Sequence, residues 1–161
     1  MSIGNPTGRT PATVDEQELP ARRIARGVRR MLAAAGQSTI EEMRLPDGRR
    51  ADIVGVSPDG SIQIVEVKSG LADYRADRKW RNYMEFCDRL YFAAAIDTPA
   101  HIFPEDIGLI VADDFGARIV RTGVEQRLAA ARRKAMLLSF ARTAADRLHG
   151  LHDPHWRNAS D

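Results

Sequence analysis

Three charged residues near the middle of the chain have the types and spacing of a divalent-cation site. Asp52, Glu66 and Lys68 fall within a stretch that is typical of two short strands joined by a tight turn. Because strand side chains alternate, Glu66 and Lys68 share a face, and a hairpin places Asp52 beside Glu66. Two carboxylates and one ammonium at one end of a sheet suit a hard cation held by oxygen ligands, with an amine beside it.

Two turns of the same chemistry organise the strands that carry these residues. The strands Ala51–Val56 and Ser61–Lys68 are separated by Pro58-Asp59-Gly60, in which Pro presets one turn dihedral and Gly supplies a positive one. A second Pro-Asp-Gly, residues 46–48, precedes the pair and follows a strand predicted over residues 38–45. Three consecutive strands with tight turns form an antiparallel meander.

Helices are predicted around this meander. The first, over residues 20–35, has an apolar stripe at three- and four-residue spacing, formed by Ile24, Val28, Met31, Leu32 and Ala35. A second helix is expected over residues 71–87 and a long final helix over residues 125–148. Further strands are predicted over residues 89–95, 108–112 and 117–121. The order indicates an α/β fold: a mixed central sheet, with a three-strand antiparallel meander and a crossover strand, flanked by helices.

Length and composition favour a single globular domain. The chain has 161 residues, of which 43% are hydrophobic and 29% charged. We expect the domain to span residues 19–149, with a disordered segment over residues 1–18 and a loosely ordered tail over residues 150–161. No apolar run approaches the roughly 18 to 20 residues of a membrane span, and no apolar leader is present. With a single cysteine and therefore no intrachain disulfide, the chain is expected to be cytoplasmic.

Arginine is concentrated in the first and last predicted helices, although the net charge is only +2. The first helix carries Arg22, Arg23, Arg26, Arg29 and Arg30. Such helices contact phosphates in a salt-sensitive way, but most charge runs are solvated faces, and the sequence leaves both interpretations open. The absence of a P-loop or a Rossmann glycine pattern argues against ATP hydrolysis and nucleotide redox chemistry.

The arrangement Asp-X13-Glu-X-Lys on a hairpin resembles the motif of the PD-(D/E)XK nuclease superfamily, which has the restriction-endonuclease-like fold. Ala51 stands where the motif has Pro. Lys79 and Tyr83, four residues apart, resemble the Gln-X3-Tyr element of RecB-like nucleases, with Lys in place of Gln.

A broader set of segments between residues 24 and 121 carries a second resemblance: Gly-Arg-Arg-Ala-Asp (48–52), Ile-Val-Glu-Val-Lys-Ser (64–69), Asp-Tyr-Arg-Ala-Asp (73–77), Lys-Trp (79–80), Tyr83, Cys-Asp-Arg (87–89) and Gly-Leu-Ile-Val-Ala-Asp (108–113). Together these segments resemble the MmcB family of bacterial DNA-repair proteins linked to mitomycin resistance. The resemblance implies a PD-(D/E)XK-type protein that acts on damaged or structured DNA, with other repair proteins as possible partners.

The expected activity is Mg²⁺-dependent hydrolysis of a phosphodiester bond in a DNA-repair intermediate, with Mn²⁺ as an alternative metal. One alternative is a non-catalytic DNA-binding or recruitment module that keeps the fold, and a second is an RNA-processing nuclease. An alternative without catalytic function is that Glu66 and Lys68 form a surface ion pair that contributes under about 1 kcal/mol to stability.

Each candidate site residue has an expected role. Asp52 and Glu66 are predicted to ligate the metal together with the main-chain carbonyl of Val67, and Lys68 to orient water or stabilise charge. Many relatives of the fold supply a further acid from the first helix, which has none here, so Glu41 and Glu42 on the first strand are the candidates. Glu42 is preferred because it matches the strand glutamate of the family, and the alternative is that it is a surface residue. The predicted nucleic-acid contacts are Lys79, Tyr83, Arg50 and Ser69.

Other residues are expected to serve the fold. Asp73 and Asp77 are interpreted as charging the start of the second helix, and Asp88 and Asp113 as structural. Cys87 is predicted to be a buried small residue, since it lies on an apolar helix face with no adjacent histidine.

Overall fold

The computed structural model describes the backbone of residues 18–155 and the side chains from Pro20 onward. The prediction of disorder for the N-terminal segment falls almost entirely outside these residues, as does the tail beyond residue 155. The elements in chain order are α1 (Glu18–Ala34), β1 (Ser38–Arg44), β2 (Arg50–Val56), β3 (Ile62–Val67), α2 (Leu71–Ala76), a 3-10 helix (Trp80–Phe86), β4 (Arg89–Ala94), a short 3-10 turn (Ala100–Ile102), β5 (Gly108–Ala112), β6 (Ala117–Arg121) and α3 (Ala130–His152).

The six strands form one mixed sheet in which spatial order follows chain order. β1, β2 and β3 are antiparallel neighbours, β3, β4 and β5 are parallel, and β5 pairs with β6 in antiparallel fashion. The predicted meander and crossover strand are therefore confirmed. The chain makes a second parallel crossover, between β4 and β5, which the sequence analysis did not specify.

Both faces of the sheet are covered, and each cover has its own apolar cluster. On one face, Ile24, Val28 and Leu32 of α1 pack against the central strands. On the other, the 3-10 helix, the β4–β5 connection and Met136 of α3 cover the sheet. Phe92 lies at the centre of that second cluster, with the rings of Tyr74, Trp80 and Phe103 at centroid distances of 5.0 to 5.4 Å within the group. The central strands are buried on both sides, as parallel strands between helical layers require.

The prediction of one helix over residues 71–87 is wrong, because the helix is interrupted at Asp77. α2 ends at Ala76, which is exposed, and Asp77 has an extended backbone. The carboxylate of Asp77 accepts hydrogen bonds from the main-chain N–H of Lys79 and from Lys68 Nζ. Such a side-chain bond to a nearby backbone N–H competes with helix continuation. The chain resumes as the 3-10 helix that begins at Trp80.

The other helix boundaries also need correction. α3 begins at Ala130 rather than at residue 125, because the N–H groups of Gln126 and Leu128 bond instead to the main-chain oxygen and the carboxylate of Asp88. α3 also continues to His152, four residues beyond the predicted end at residue 148. Ala35, expected in the buried stripe of α1, is exposed because the helix has already ended at Ala34.

Asp88 ties the sheet to α3 as the structural residue it was expected to be. Its carboxylate accepts hydrogen bonds from the N–H groups of Ile62 and Leu128, at 2.7 and 2.9 Å. Arg133 donates to both of its oxygens, at 2.8 and 2.6 Å. Burial alone raises the pKa of Asp88, but the bonds from Arg133 and the two backbone N–H groups outweigh it and hold that pKa below its ordinary value.

Removing this carboxylate is expected to destabilise the fold. Asp88→Ala removes the acceptor of two N–H groups and leaves Arg133 with the carbonyl of Gly60 alone. It should lower the free energy of unfolding by about 3 kcal/mol, measured by urea denaturation. The matched control is Glu125→Ala, which breaks an exposed ion pair with Arg89 and should cost under about 1 kcal/mol. Equal losses in the two variants would contradict the assignment.

Candidate functional site

The site lies where β2 and β3 separate. Ile53 and Val65 form the last regular pair of this hairpin. Beyond this pair, the backbone N–H groups bond to side-chain oxygens and not to the carbonyls of the partner strand. The N–H of Asp52 donates to Glu66 Oε1 at 3.2 Å, and the N–H of Val67 donates to Asp52 Oδ2 at 2.8 Å. The structure thus brings the two carboxylates together on adjacent strands, as the hairpin pattern predicted.

Burial makes this pair of carboxylates electrostatically costly. Glu66 is only 4% exposed. Burial, and then the neighbouring charge of Asp52, raise the pKa of Glu66 to about 9. The pKa of Asp52 is raised as well, chiefly by burial, with the charge of Glu42 adding to it. Without a cation, Glu66 therefore holds a proton at neutral pH.

Lys68 is buried beside the pair and has a partner that the sequence analysis misread. It is 4% exposed, and its Nζ lies 2.6 Å from Asp77 Oδ2 and 5.9 Å from the ring centroid of Phe92. Burial of Asp77 raises its pKa, but the hydrogen bonds from Lys68 and the backbone of Lys79 outweigh this and lower it. Asp77, expected to charge the start of a helix, instead lies at the end of α2 and positions the lysine.

A third carboxylate lies in the same row of the sheet. In the β1–β2 register Glu41 is opposite Ile53 and Met43 is opposite Ala51, so Glu42 falls opposite Asp52. Glu42 has a φ of 50°, a left-handed backbone conformation that is uncommon outside glycine. Glu42, Asp52 and Glu66 therefore occupy matching positions on three neighbouring strands.

Two arginines hold Glu42 in place. Arg147 of α3 donates to the main-chain oxygens of Glu41 and Glu42, at 2.5 and 2.9 Å. Arg50 Nε lies 2.5 Å from Glu42 Oε2. Arg147 was missed by sequence reasoning, and no local pattern could have found it, because it lies 105 residues from Glu42 along the chain.

The five predicted catalytic and metal-site residues line one cleft of about 1090 Å³. Its floor contains Glu42, Asp52, Glu66, Val67 and Lys68, and its opposite wall is formed by α1. The acidic and basic groups are therefore partly separated within one concave surface, which suits an anionic ligand that approaches through a bound cation.

The donor set fits a magnesium or manganese ion. One oxygen each of Asp52 and Glu66 accepts a backbone N–H, which leaves the second oxygen of each for a ligand. Within residues 18–155 no three His, Cys, Asp or Glu side chains are close enough to form a ready-made cluster. Mg²⁺ is commonly held by one or two carboxylates, with water and phosphate completing its octahedron. Ligation by Asp52, Glu66, Val67 and Glu42 stays a prediction.

The expected nucleic-acid contacts are not brought together. Arg50 lines the cleft, and the N–H and hydroxyl of Ser69 donate to Asp73 Oδ2. Tyr83 is only 9% exposed, and its hydroxyl donates to the carbonyl of Arg50 at 3.0 Å. In this conformation its ring packs in the core and is not available for stacking on a base.

Lys79 is exposed and lies outside the cleft lining. The four-residue spacing of Lys79 and Tyr83 assumed one continuous α-helix, and the break at Asp77 removes that geometry. Contacts of these two residues, and of Arg50 and Ser69, with nucleic acid stay predictions.

The fold and site define a mixed α/β protein with a paired-carboxylate cleft. A family model described as DNA repair protein MmcB-like matches residues 9–155. Because the match covers most of the chain, the chain belongs to the MmcB-like DNA repair family, which confirms the resemblance seen in the sequence. No curated protein matches the chain.

A solved structure supports the architecture. The chain is similar to the SPO1766 protein of unknown function from Silicibacter pomeroyi, with 45% sequence identity and a TM-score of 0.82, over 85% of this chain and 94% of that one. Across residues 18–155, no helix combines the length and the apolar character that crossing a bilayer requires.

The raised pKa of Glu66 predicts an unusual pH dependence of stability. Between its ordinary pKa of 4.5 and the folded value of about 9, the unfolded chain loses a proton that the folded chain keeps. The free energy of unfolding contributed by this group therefore falls as pH rises through that window. Glu66→Gln keeps the acceptor for the N–H of Asp52 and removes the titration, so we expect the variant to gain stability over the wild type as pH rises.

Urea denaturation at about pH 5 and about pH 8 measures this effect, with Glu125→Gln as a control for loss of a negative charge. A variant whose difference from the wild type is the same at both pH values would contradict the buried, protonated state of Glu66.

Proposed function

We propose that the chain is a Mg²⁺- or Mn²⁺-dependent phosphodiesterase of the PD-(D/E)XK type, with the restriction-endonuclease-like fold, that cuts DNA in a repair intermediate. The observation that carries the proposal is the reciprocal pair of hydrogen bonds between Asp52 and the end of β3. These bonds hold two carboxylates at one point of the sheet, with a buried lysine beside them. Membership of a DNA repair family makes DNA the favoured substrate.

The chain's own residues divide the work. Asp52 and Glu66 would hold the metal through the oxygens that are not bonded to the backbone. When bound, the metal supplies a Lewis acid that polarises phosphate and lowers the pKa of water. Lys68 uses one of its three N–H donors on Asp77, which leaves two for the phosphate oxygen on which negative charge develops. Because Lys68 is buried, its charge acts at low dielectric, where such stabilisation is strongest.

One observation favours a second candidate, a non-catalytic DNA-binding module. The ion pair between Lys68 and Asp77 gives the lysine a structural partner, so its burial has an explanation that involves no chemistry. In that case the cleft would bind DNA without cutting it.

Cleavage assays separate these candidates. Duplex, nicked, flapped and single-stranded DNA, and RNA of the same sequences, are incubated with the protein and Mg²⁺ or Mn²⁺. We expect metal-dependent cutting of DNA that falls by at least about a hundredfold in Asp52→Ala, Glu66→Gln and Lys68→Ala, because each removes a metal ligand or a charge-stabilising donor. Glu125→Gln, far from the cleft, should cut normally.

The contradicting outcomes are distinct. DNA binding without cutting under either metal, unchanged by the three substitutions, would leave the binding module. Faster cutting of RNA than of DNA would move the substrate class to RNA.

Metal binding is expected to release a proton, because Glu66 is protonated before the cation arrives. Isothermal titration of Mn²⁺ near neutral pH, in buffers of different ionisation enthalpy, should report about one proton released per ion. Glu66→Gln should release none and bind more weakly. Proton release of equal size in the wild type and the variant would remove Glu66 from the metal site.

A further inference from the structure

The rotation of α1 about its axis is fixed by a close contact with the β5–β6 turn. A Cβ added at Gly27 would lie 2.1 Å from the carbonyl oxygen of Asp113 and 2.5 Å from that of Gly116, so only glycine permits this approach. The buried side chains of Ile24 and Val28 face the same way, into the sheet. With these residues inside, the arginines of the helix must occupy its remaining surface.

Two of those arginines serve the fold. Arg23 Nε lies 2.6 Å from Asp114 Oδ2. Arg30 Nη1 donates to the main-chain oxygens of Asp114 and Phe115, at 3.2 and 3.4 Å. Both arginines therefore fasten α1 to the turn between β5 and β6.

The other three arginines line the cleft that holds the carboxylates. Arg22, Arg26 and Arg29 are separated by four and three residues, so they lie on one face of the helix. At about 1.5 Å per residue they extend over roughly 10 Å along the axis. Ala21 and Ala25 line the same wall, and their small side chains leave the cleft floor accessible. One side of the cleft is thus cationic, while the metal-binding carboxylates lie on its floor.

We propose that this face of α1, formed by Arg22, Arg26 and Arg29, is the binding wall for the phosphate backbone of a nucleic-acid strand. The proposal rests on the proposed function for the position of the scissile phosphate, over Asp52 and Glu66. The wall contacts the phosphates that flank it. Guanidinium groups bind phosphate through paired, charge-assisted hydrogen bonds.

The length of this arginine face indicates the class of ligand that it can bind. Successive phosphates of one strand of a duplex advance by about 3.4 Å along the axis, so roughly 10 Å matches several phosphates and exceeds a mononucleotide. Arg29 is held by Glu41, with Nη1 2.9 Å from Oε2. Within the described part of the chain Arg26 makes no ion pair, which leaves its guanidinium for a ligand. The ligand is therefore a strand of several nucleotides.

Two matched double variants test the wall. Arg22→Gln/Arg26→Gln removes two charges from the cleft face, and Arg23→Gln/Arg30→Gln removes two from the same helix on the side of the turn. Binding of a fluorescein-labelled DNA strand and its duplex is measured by anisotropy in EDTA, from about 50 to 200 mM salt. Melting temperatures are recorded for every variant.

In the cleft variant, the negative slope of log K against log salt should become shallower by about 1.4 for the single strand and about 1.8 for the duplex. In the turn variant, this slope should change by much less. When the salt is raised over that range, the affinity of the wild type should therefore fall by a factor roughly ten times larger than the affinity of the cleft variant. Arg22→Lys/Arg26→Lys keeps the charge and should restore the slope. If the cleft variant melts at a lower temperature, Arg26→Gln alone carries the test, with about half the change in slope.

Equal slope changes in the cleft and turn variants, or an unchanged slope in the cleft variant, would overturn the proposal. Because these measurements exclude metal, they are independent of hydrolysis. A cleft-specific loss of binding without any cutting would keep the wall and discard the nuclease, while cutting that survives with an unchanged slope would do the reverse.

Discussion

The structure depends on two backbone N–H groups that take side-chain oxygens as their acceptors. At the end of the β2–β3 hairpin, the N–H groups of Asp52 and Val67 bond to Glu66 and Asp52 respectively, in place of the partner strand's carbonyls. Backbone N–H groups that are shielded from water need acceptors, so these bonds fix the positions of the two carboxylates. The backbone therefore forces two acidic groups together in a poorly solvated place.

Holding two carboxylates close together in a poorly solvated place has an electrostatic cost. Two neighbouring carboxylates at low dielectric do not both stay ionised without a compensating charge, and burial together with their mutual repulsion raises the pKa values of Asp52 and Glu66. A proton on Glu66 relieves the repulsion, and so does a divalent cation. Lys68 does so only in part, because Asp77 takes one of its donors. The surrounding elements support the strands that carry this pair. Arg147 of α3 donates to the backbone of Glu42 on the neighbouring strand β1, which has a strained conformation. Asp88 and Arg133 in turn anchor α3 to the sheet.

What the sequence could predict was the part set by local rules. Alternation along β3 and the Pro-Asp-Gly turn were enough to bring Asp52 beside Glu66, since both depend on neighbouring residues alone. The break at Asp77 was only partly open to prediction, because Asp77 accepts one local hydrogen bond, from the N–H of Lys79, and a second from Lys68 Nζ just beyond β3. The delayed start of α3 depends in the same way on Asp88, some forty residues earlier. The division of the α1 arginines into two sets requires the close contact at Gly27, which is visible only in three dimensions.

The proposed activity requires that Asp52 and Glu66 hold a divalent cation. Crystals of the full chain soaked in Mn²⁺ test it directly, through an anomalous difference map recorded near the manganese absorption edge. We expect a peak within coordination distance, about 2 to 2.4 Å, of one oxygen from each carboxylate, and no such peak in crystals of Glu66→Gln. A map with no peak between the two side chains, or with the same peak in wild type and variant, would contradict it.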